Sequence, residues 1–206
     1  MSELTLDIDS DSTALLVQDM QRDNLHYEGA NKDSGVPEHA EEQNIYEHIE
    51  ALMDTARERD IPVIHIHYIA EEDAAGLAQN AAIFSDIAAD EVCIRGSWGA
   101  QPMDGMEPQE DDVVVEKMRV DGFRGTNLDN LLRGFGVDSF VLTGVFTNFS
   151  IESTARSGAD LGYDVTVVED ATASFSEEWQ NAALNYTLTQ MTDIESTEDV
   201  LTALTE

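Results

Sequence analysis

Asp19, Lys117 and Ser150 lie far apart in the chain, yet their types and settings suit joint chemistry. Asp19 closes the apolar run "TALLVQD", Lys117 closes "DVVVEK", and Ser150 follows "SFVLTGV" after a short polar turn. Each has an ordinary structural use as well. A strand-end aspartate accepts from the next turn's amides, a lysine faces solvent, and a serine at a helix's first turn caps backbone N–H groups. Lysine stands out, because the chain holds only two, Lys32 and Lys117. A carboxylate and an ammonium at one sheet edge could hold each other charged or pass a proton. A strand that breaks into a polar turn and then a helix is also where α/β enzymes seat a nucleophile.

The surrounding elements must bring the three together. Residues 13–19 read as a strand, 41–60 as a helix and 61–69 as a second strand entered through Pro62. Residues 70–112, rich in Ala, Gly, Asp and Met, read as irregular chain over the top of a sheet. A third strand follows at 112–117. The helix 126–136 is capped by Thr126 and closed by Gly136. Then come a strand at 139–145, a helix at 150–162, a strand at 163–171 and a helix at 176–191. The last helix spans 196–204 and opens on a Ser-x-x-Asp signal at Ser196. Near-continuous apolar strands alternating with helices predict an α/β fold with a mostly parallel sheet covered on both faces. Ligands in such sheets bind beyond the carboxyl ends of the strands, where all three residues fall.

At this point the chain resembles the isochorismatase-like superfamily, also called the cysteine hydrolases, from about residue 12 onward. The resemblance is carried by "ALLVQDMQRD", "EKMRVDGFRGTNLDNLLRGFGVDSFVLTGVFTN" and "ESTARSGADLGYDVTVVEDATASFS" in that order. It implies a three-layer Rossmann-like fold in one domain over residues 1–206, and a homo-oligomer, dimer or tetramer. It also implies hydrolysis of a C–N bond in a small amide or carbamoyl substrate, with no cofactor. Residue by residue, Asp19 matches the family's acid/base aspartate and Lys117 its lysine, and Ser150 stands where the amidohydrolase branch has cysteine. A cis peptide would join Val145 to Phe146, and the backbone N–H groups of Phe146 and Ser150 would form the oxyanion hole. Arg95, Trp98, Arg119 and Phe123 are candidate substrate contacts, the arginines suiting a carboxylate-bearing substrate.

Serine at this position changes the chemistry. A thiol becomes a thiolate beside a lysine and a helix N-terminus, whereas a hydroxyl needs a base in the transition state. Three readings stand. Ser150 is an engineered replacement of cysteine in an amidohydrolase, or it is natural and Asp19 acts as general acid on a vinyl ether, as in isochorismatase itself. The third is a catalytically weak binding or scaffold protein on the same fold. Zinc-binding nicotinamidases carry an Asp-x-His after the second strand. The segment "VIHIHYIAEED" has none, and His65 and His67 read as one strand face packed beneath helices, so no metal is expected. Cys93, the sole cysteine, reads as structural or loop-lining and leaves no intrachain disulfide.

Composition narrows the setting. Acidic residues number 43 against 10 basic ones, for a net charge of -33, spread along the whole length. Such a surface excludes phosphate-backbone binding by a basic face, so no nucleic-acid partner is expected. No apolar run approaches membrane-spanning length, and the first residues lack a signal-peptide pattern, so a soluble, cytoplasmic protein without a membrane partner is expected. A carboxylate-coated surface repels itself and is relieved by screening salt, which points to a high-salt cytoplasm. Unfolding measured across a KCl series should show stability rising toward molar salt; a maximum already reached in dilute buffer would sink this reading.

Overall fold

The computed structural model describes residues 8–205. Its centre is a six-stranded sheet with the order β3-β2-β1-β4-β5-β6, parallel throughout. The strands are β1 (Thr13–Gln18), β2 (Val63–Tyr68), β3 (Val113–Lys117), β4 (Ser139–Val145), β5 (Asp164–Ala173) and β6 (Asp193–Glu195). Alternation along β1 sends Leu15 and Val17 to one apolar core and Ala14 and Leu16 to another. The first core is built with α2 (Val36–Glu42), α3 (Ile45–Glu58) and α8 (Thr197–Thr205); the second takes in α5 (Leu128–Phe135) and α6 (Glu152–Leu161). These two cores on opposite faces make the three-layer α/β architecture expected from the apolar strands.

Several boundaries differ from the sequence reading. The helix expected over 41–60 is broken at Asn44, whose left-handed backbone (φ 53°) separates α2 from α3; asparagine tolerates that conformation better than most residues. The stretch 70–112 is less irregular than its composition suggests, because it contains α4 (Ala82–Ala89). The short α1 (Arg22–Leu25) follows β1, and α7 (Glu177–Ala182) continues through a π turn at Ala183–Thr187 and a 3-10 turn at Leu188–Gln190. The three-residue β6, charged and partly exposed, carries too short a pattern to be read as a strand. Gly136 closes α5 in the left-handed conformation, and the Ser196 hydroxyl accepts from the Asp199 backbone N–H (3.2 Å), as expected. Thr126 is not the cap of α5, which starts at Leu128 after Asn127, although its hydroxyl accepts from the Leu128 N–H (3.2 Å). Among the described residues no helix is long and apolar enough to cross a membrane.

β5 runs two residues beyond its expected end. After a register shift opposite Leu142 and Gly144, Thr172 and Ala173 pair with Gly144 and Val145. Gly144 has φ 110°, and a Cβ there would lie 2.0 Å from the Gln18 carbonyl oxygen of β1. Only glycine lets β4 pass β1 at this separation. Gly134, within α5, has open space around its Cα.

His65 and His67 share one face of β2, with ring centroids 6.0 Å apart. His65 Nε2 donates to Asp112 Oδ2 (3.2 Å), whose carboxylate also receives Arg57 of α3 (2.6 Å) and the Gln109 N–H (2.8 Å). Burial pushes the His65 imidazole down to about 4; the neighbouring His67 adds to this and Asp112 opposes it.

Gly144→Ala should destabilise the protein by roughly 2–4 kcal/mol, through backbone strain and a clash that β1 cannot relieve. Gly134→Ala should instead be neutral or add about 0.5–1 kcal/mol. Denaturant melts of the two variants check the contrast. For His65, the unfolded imidazole titrates near ~6.5, so between there and about 4 the unfolded chain binds more protons than the folded one. Stability should therefore fall as pH drops through that window. The slope should be shallower in His65→Gln, and identical slopes would refute the assignment.

Candidate active site

β1 and β4 are neighbours at the point where the strand order reverses, which is where open parallel sheets form a crevice. Asp19 follows β1 and Ser150 follows β4, whereas Lys117 ends β3, two strands from β1. Two strand spacings amount to about 9–10 Å, so a long side chain is needed to bridge them. Lys117 does so, passing the Tyr68 ring at the end of β2 with Nζ 5.4 Å from its centroid. Its Nζ donates to Asp19 Oδ2 at 2.7 Å and lies 3.4 Å from Ser150 Oγ. The carbonyls of Arg119 (3.2 Å) and Val120 (3.0 Å) complete the surroundings. Every neighbour is an acceptor, so Lys117 is placed to donate rather than to act as a base.

All three residues are buried, Asp19 at 2%, Lys117 at 3% and Ser150 at 5% relative exposure. They line a cavity of about 390 Å³ with Tyr68, Phe146, Phe149 and Phe175. Asp19 Oδ1 has no hydrogen-bond partner, so one carboxylate oxygen remains unclaimed by the protein. Asp19 itself has a left-handed backbone (φ 58°), and its carbonyl accepts from Asn24 Nδ2 (2.9 Å).

The turn bearing Ser150 is a π turn over Thr147–Ile151 that runs into α6, rather than the first turn of a regular helix. Wide turns of this kind recur at functional sites because they displace a side chain from its helical position. The peptide joining Val145 to Phe146 is cis. Buried Gln180 ties the turn to β5: its Oε1 accepts from Thr147 Oγ1 (2.9 Å), and its Nε2 donates to the Glu169 (2.9 Å) and Thr172 (3.1 Å) carbonyls. Asn148 Oδ1 takes a short hydrogen bond from Ser174 Oγ.

The polar end of β1 is equally anchored. Gln21 accepts from the Tyr68 N–H (2.8 Å) and donates to the Tyr68 and Ala100 carbonyls (both 2.9 Å), locking the ends of β1 and β2 together. The Asp23 carboxylate receives the N–H groups of Cys93 (2.7 Å) and Ala30 (3.1 Å). Gln18 accepts from Thr154 Oγ1 (3.0 Å), which itself accepts from the Gly122 N–H (2.8 Å). The sequence reading singled out Asp19 in "QDMQRDN" and passed over these supports. Their signal is the density of amide and carboxylate side chains directly after an apolar strand.

The four residues read as substrate contacts do not line this cavity. Arg95 forms a fork with both oxygens of Glu116 (2.9 and 2.7 Å) and reaches Glu71 (2.9 Å) on the surface. Trp98 is 43% exposed and packs on His26. Phe123, half-buried, stacks on Tyr163 at the edge of the core that takes in α5 and α6. Arg119 donates to the Ala78 carbonyl (3.0 Å) and Asn80 Oδ1 (3.2 Å), with its guanidinium over the Phe84 ring. It therefore holds the α4 segment instead of facing the cavity. In a chain this acidic, both arginines find protein oxygens. Cys93 is fully buried, and burial pushes its thiol up, with Asp23 nearby adding to the effect. Among the described residues no group of three or more His, Cys, Asp or Glu side chains forms a metal cage.

Comparison with known proteins identifies the family and the fold. A stretch of 94 residues is 40% identical to the ureidoacrylate amidohydrolase RutB of Pantoea ananatis (strain LMG 20103), taking in 46% of this chain and 38% of that protein. A cysteine hydrolase from Pseudomonas syringae pv. phaseolicola 1448A shares the fold at a TM-score of 0.88 and 26% identity, over 100% of this chain and 99% of its own. An isochorismatase-like hydrolase from Alkaliphilus metalliredigens matches at 0.78 and 30%, over 93% and 98% of the two chains. The family model described as the isochorismatase domain matches residues 13–199, from the first residue of β1 into α8. On that match and the sheet that carries it, this chain belongs to the isochorismatase family of hydrolases.

Proposed function

We propose that the protein cleaves a C–N bond of a small amide or carbamoyl compound, with Asp19, Lys117 and Ser150 as its catalytic residues. The observation that carries this reading is Lys117 Nζ, set between Asp19 Oδ2 (2.7 Å) and Ser150 Oγ (3.4 Å) on a cavity wall where Asp19 Oδ1 is unclaimed. The partial match to an amidohydrolase supports the bond type.

The steps follow from donors and acceptors. Ser150 Oγ faces the Lys117 ammonium, so its own proton is free to go to Asp19 as the oxygen attacks the substrate carbonyl carbon. The new C–O bond leaves an oxyanion, which the backbone N–H groups of Phe146 and Ser150 would receive. Collapse breaks the C–N bond, and Asp19 returns the proton to the departing nitrogen. Water, deprotonated by Asp19, then attacks the acyl or carbamoyl ester; the ester C–O bond breaks and Asp19 returns that proton to the departing Ser150 Oγ. Lys117 stays a donor throughout, orienting Asp19 Oδ2 and Ser150 Oγ. The weak step is the first, because an ordinary serine hydroxyl yields its proton only in the transition state.

A second reading has its own support. With a hydroxyl at the nucleophile's position and an open oxygen on Asp19, protonation of a vinyl ether by Asp19 requires no nucleophile. Ser150→Cys assayed on amides and N-carbamoyl compounds should raise kcat/KM on the order of 10²-fold or more, since the thiolate forms before attack. Ser150→Ala should remove amide hydrolysis. Activity retained in Ser150→Ala would move the chemistry to Asp19 alone. No turnover in any variant, with ligand binding intact, would leave a binding protein on a hydrolase fold.

A further inference from the structure

The cavity above Asp19 and Lys117 carries a charge pattern that the reacting groups alone do not require. One face of α4 and the residue that ends it cover the cavity: Ala82, Ile83, Asp86 and Ile87, with Asp90 at the helix's C-terminal cap, recur at three- and four-residue spacing and line it, the two aspartates at its exposed mouth. Three carboxylates, those of Asp19, Asp86 and Asp90, thus face one space. The only basic side chain among its lining residues, Lys117, is already held by Asp19 at 2.7 Å. Among the described residues neither Asp86 nor Asp90 enters an ion pair. The arginine best placed by sequence to balance them, Arg119, grips Phe84 on the other face of α4 and the backbone at Ala78.

Acidic side chains at a cavity mouth do not by themselves define a ligand. A second feature points to a ligand in this space: Asp19 Oδ1, deeper on the same cavity wall, is buried and lacks any protein partner. A third is aromatic. Tyr68, Phe146, Phe149 and Phe175 line the space, with Phe146 and Phe175 centroids 5.3 Å apart. Aromatic faces attract cations and offer nothing to a carboxylate, which proteins ordinarily grip with arginine forks. An anionic substrate would enter against two uncompensated charges, with no arginine to receive it.

We propose that the site selects a small amide or carbamoyl compound whose non-reacting end is cationic, with Asp86 and Asp90 as the selecting residues. This rests on the hydrolase reading for the reacting end only. The cationic end sits between the carboxylates of α4 and the rings of Phe146 and Phe175, while the amide reaches down to Ser150. The carboxylate-bearing substrate suggested by the arginines in the sequence is the class that this cavity rejects.

Three probes of nearly equal size separate charge from shape: para-(aminomethyl)benzamide, para-methylbenzamide and para-carbamoylbenzoate. Calorimetric titration of the intact protein, in the lowest KCl that keeps it folded, reads binding without turnover. The cation should bind roughly tenfold or more tighter than the anion, with the neutral amide between them. Asp86→Asn combined with Asp90→Asn should close most of that gap. Glu110→Gln combined with Asp111→Asn removes the same charge just before β3, at the amino end of the sheet, and should leave the gap unchanged. The proposal is overturned if the anion binds as well as the cation, or if the cation does not bind. It is also overturned if the control variant closes the gap equally, which would assign the preference to net charge. An inactive Ser150→Cys protein that keeps its charge preference would defeat the hydrolase reading and spare this one; an active Ser150→Cys protein that favours the anion would do the reverse.

Discussion

The structure depends on one buried ion pair. Lys117 and Asp19 sit within a few per cent of full burial and meet at 2.7 Å. Desolvating both charges is costly, and the pair is tolerable only because each has further hydrogen-bond partners or a task. Lys117 satisfies its requirement with two backbone carbonyls and the Ser150 hydroxyl. Asp19 does not, since Oδ1 is unpaired. Removing either partner would leave an uncompensated buried charge, a loss of about 3–5 kcal/mol. The sheet order makes the pair possible: β3 and β1 flank β2, so one lysine side chain can cross it.

Around that pair, the elbow after β4 is held by buried amides rather than by its own helix. Gly144 lets β4 press against β1, the register shift in β5 brings Phe175 beside Phe146, and Gln180 pins Thr147 from beneath. The result is a π turn that sets Ser150 Oγ toward Lys117. The seat is firm, and its occupant is the least reactive part of it. A hydroxyl needs a base in the transition state, whereas a thiol is activated by a neighbouring lysine and helix end.

Charge acts on two scales in this molecule. Over the whole surface, 43 acidic residues against 10 basic ones set up self-repulsion that salt relieves. At the crevice, a few carboxylates act over short distances. Scarce cations are consumed locally: Arg95 by Glu116 and Glu71, Arg57 by Asp112, Arg119 by the α4 segment. That scarcity explains why Arg95 and Arg119, near the site in sequence, are bonded to protein oxygens in space.

Much of this was legible in the chain itself. Apolar runs such as "TALLVQD" and "SFVLTGV" must be buried on both sides, so they dictate a parallel sheet, and a parallel sheet dictates which strand ends can meet. Asp19, Lys117 and Ser150 followed from that logic and from the motifs that resemble a known family. Short or mixed segments were not legible. β6 is too short to show a period, and α4 lies in Ala- and Gly-rich text that reads as loop. The directions of Arg95, Arg119, Trp98 and Phe123 were beyond the sequence for a different reason. A strand's faces alternate by covalent geometry, whereas a loop side chain goes wherever distant partners pull it. The sequence by itself therefore determined the sheet and the three residues at its edge. Only the tertiary structure decided what surrounds them, because the path of α4 and the pairing of each arginine depend on contacts made across the fold.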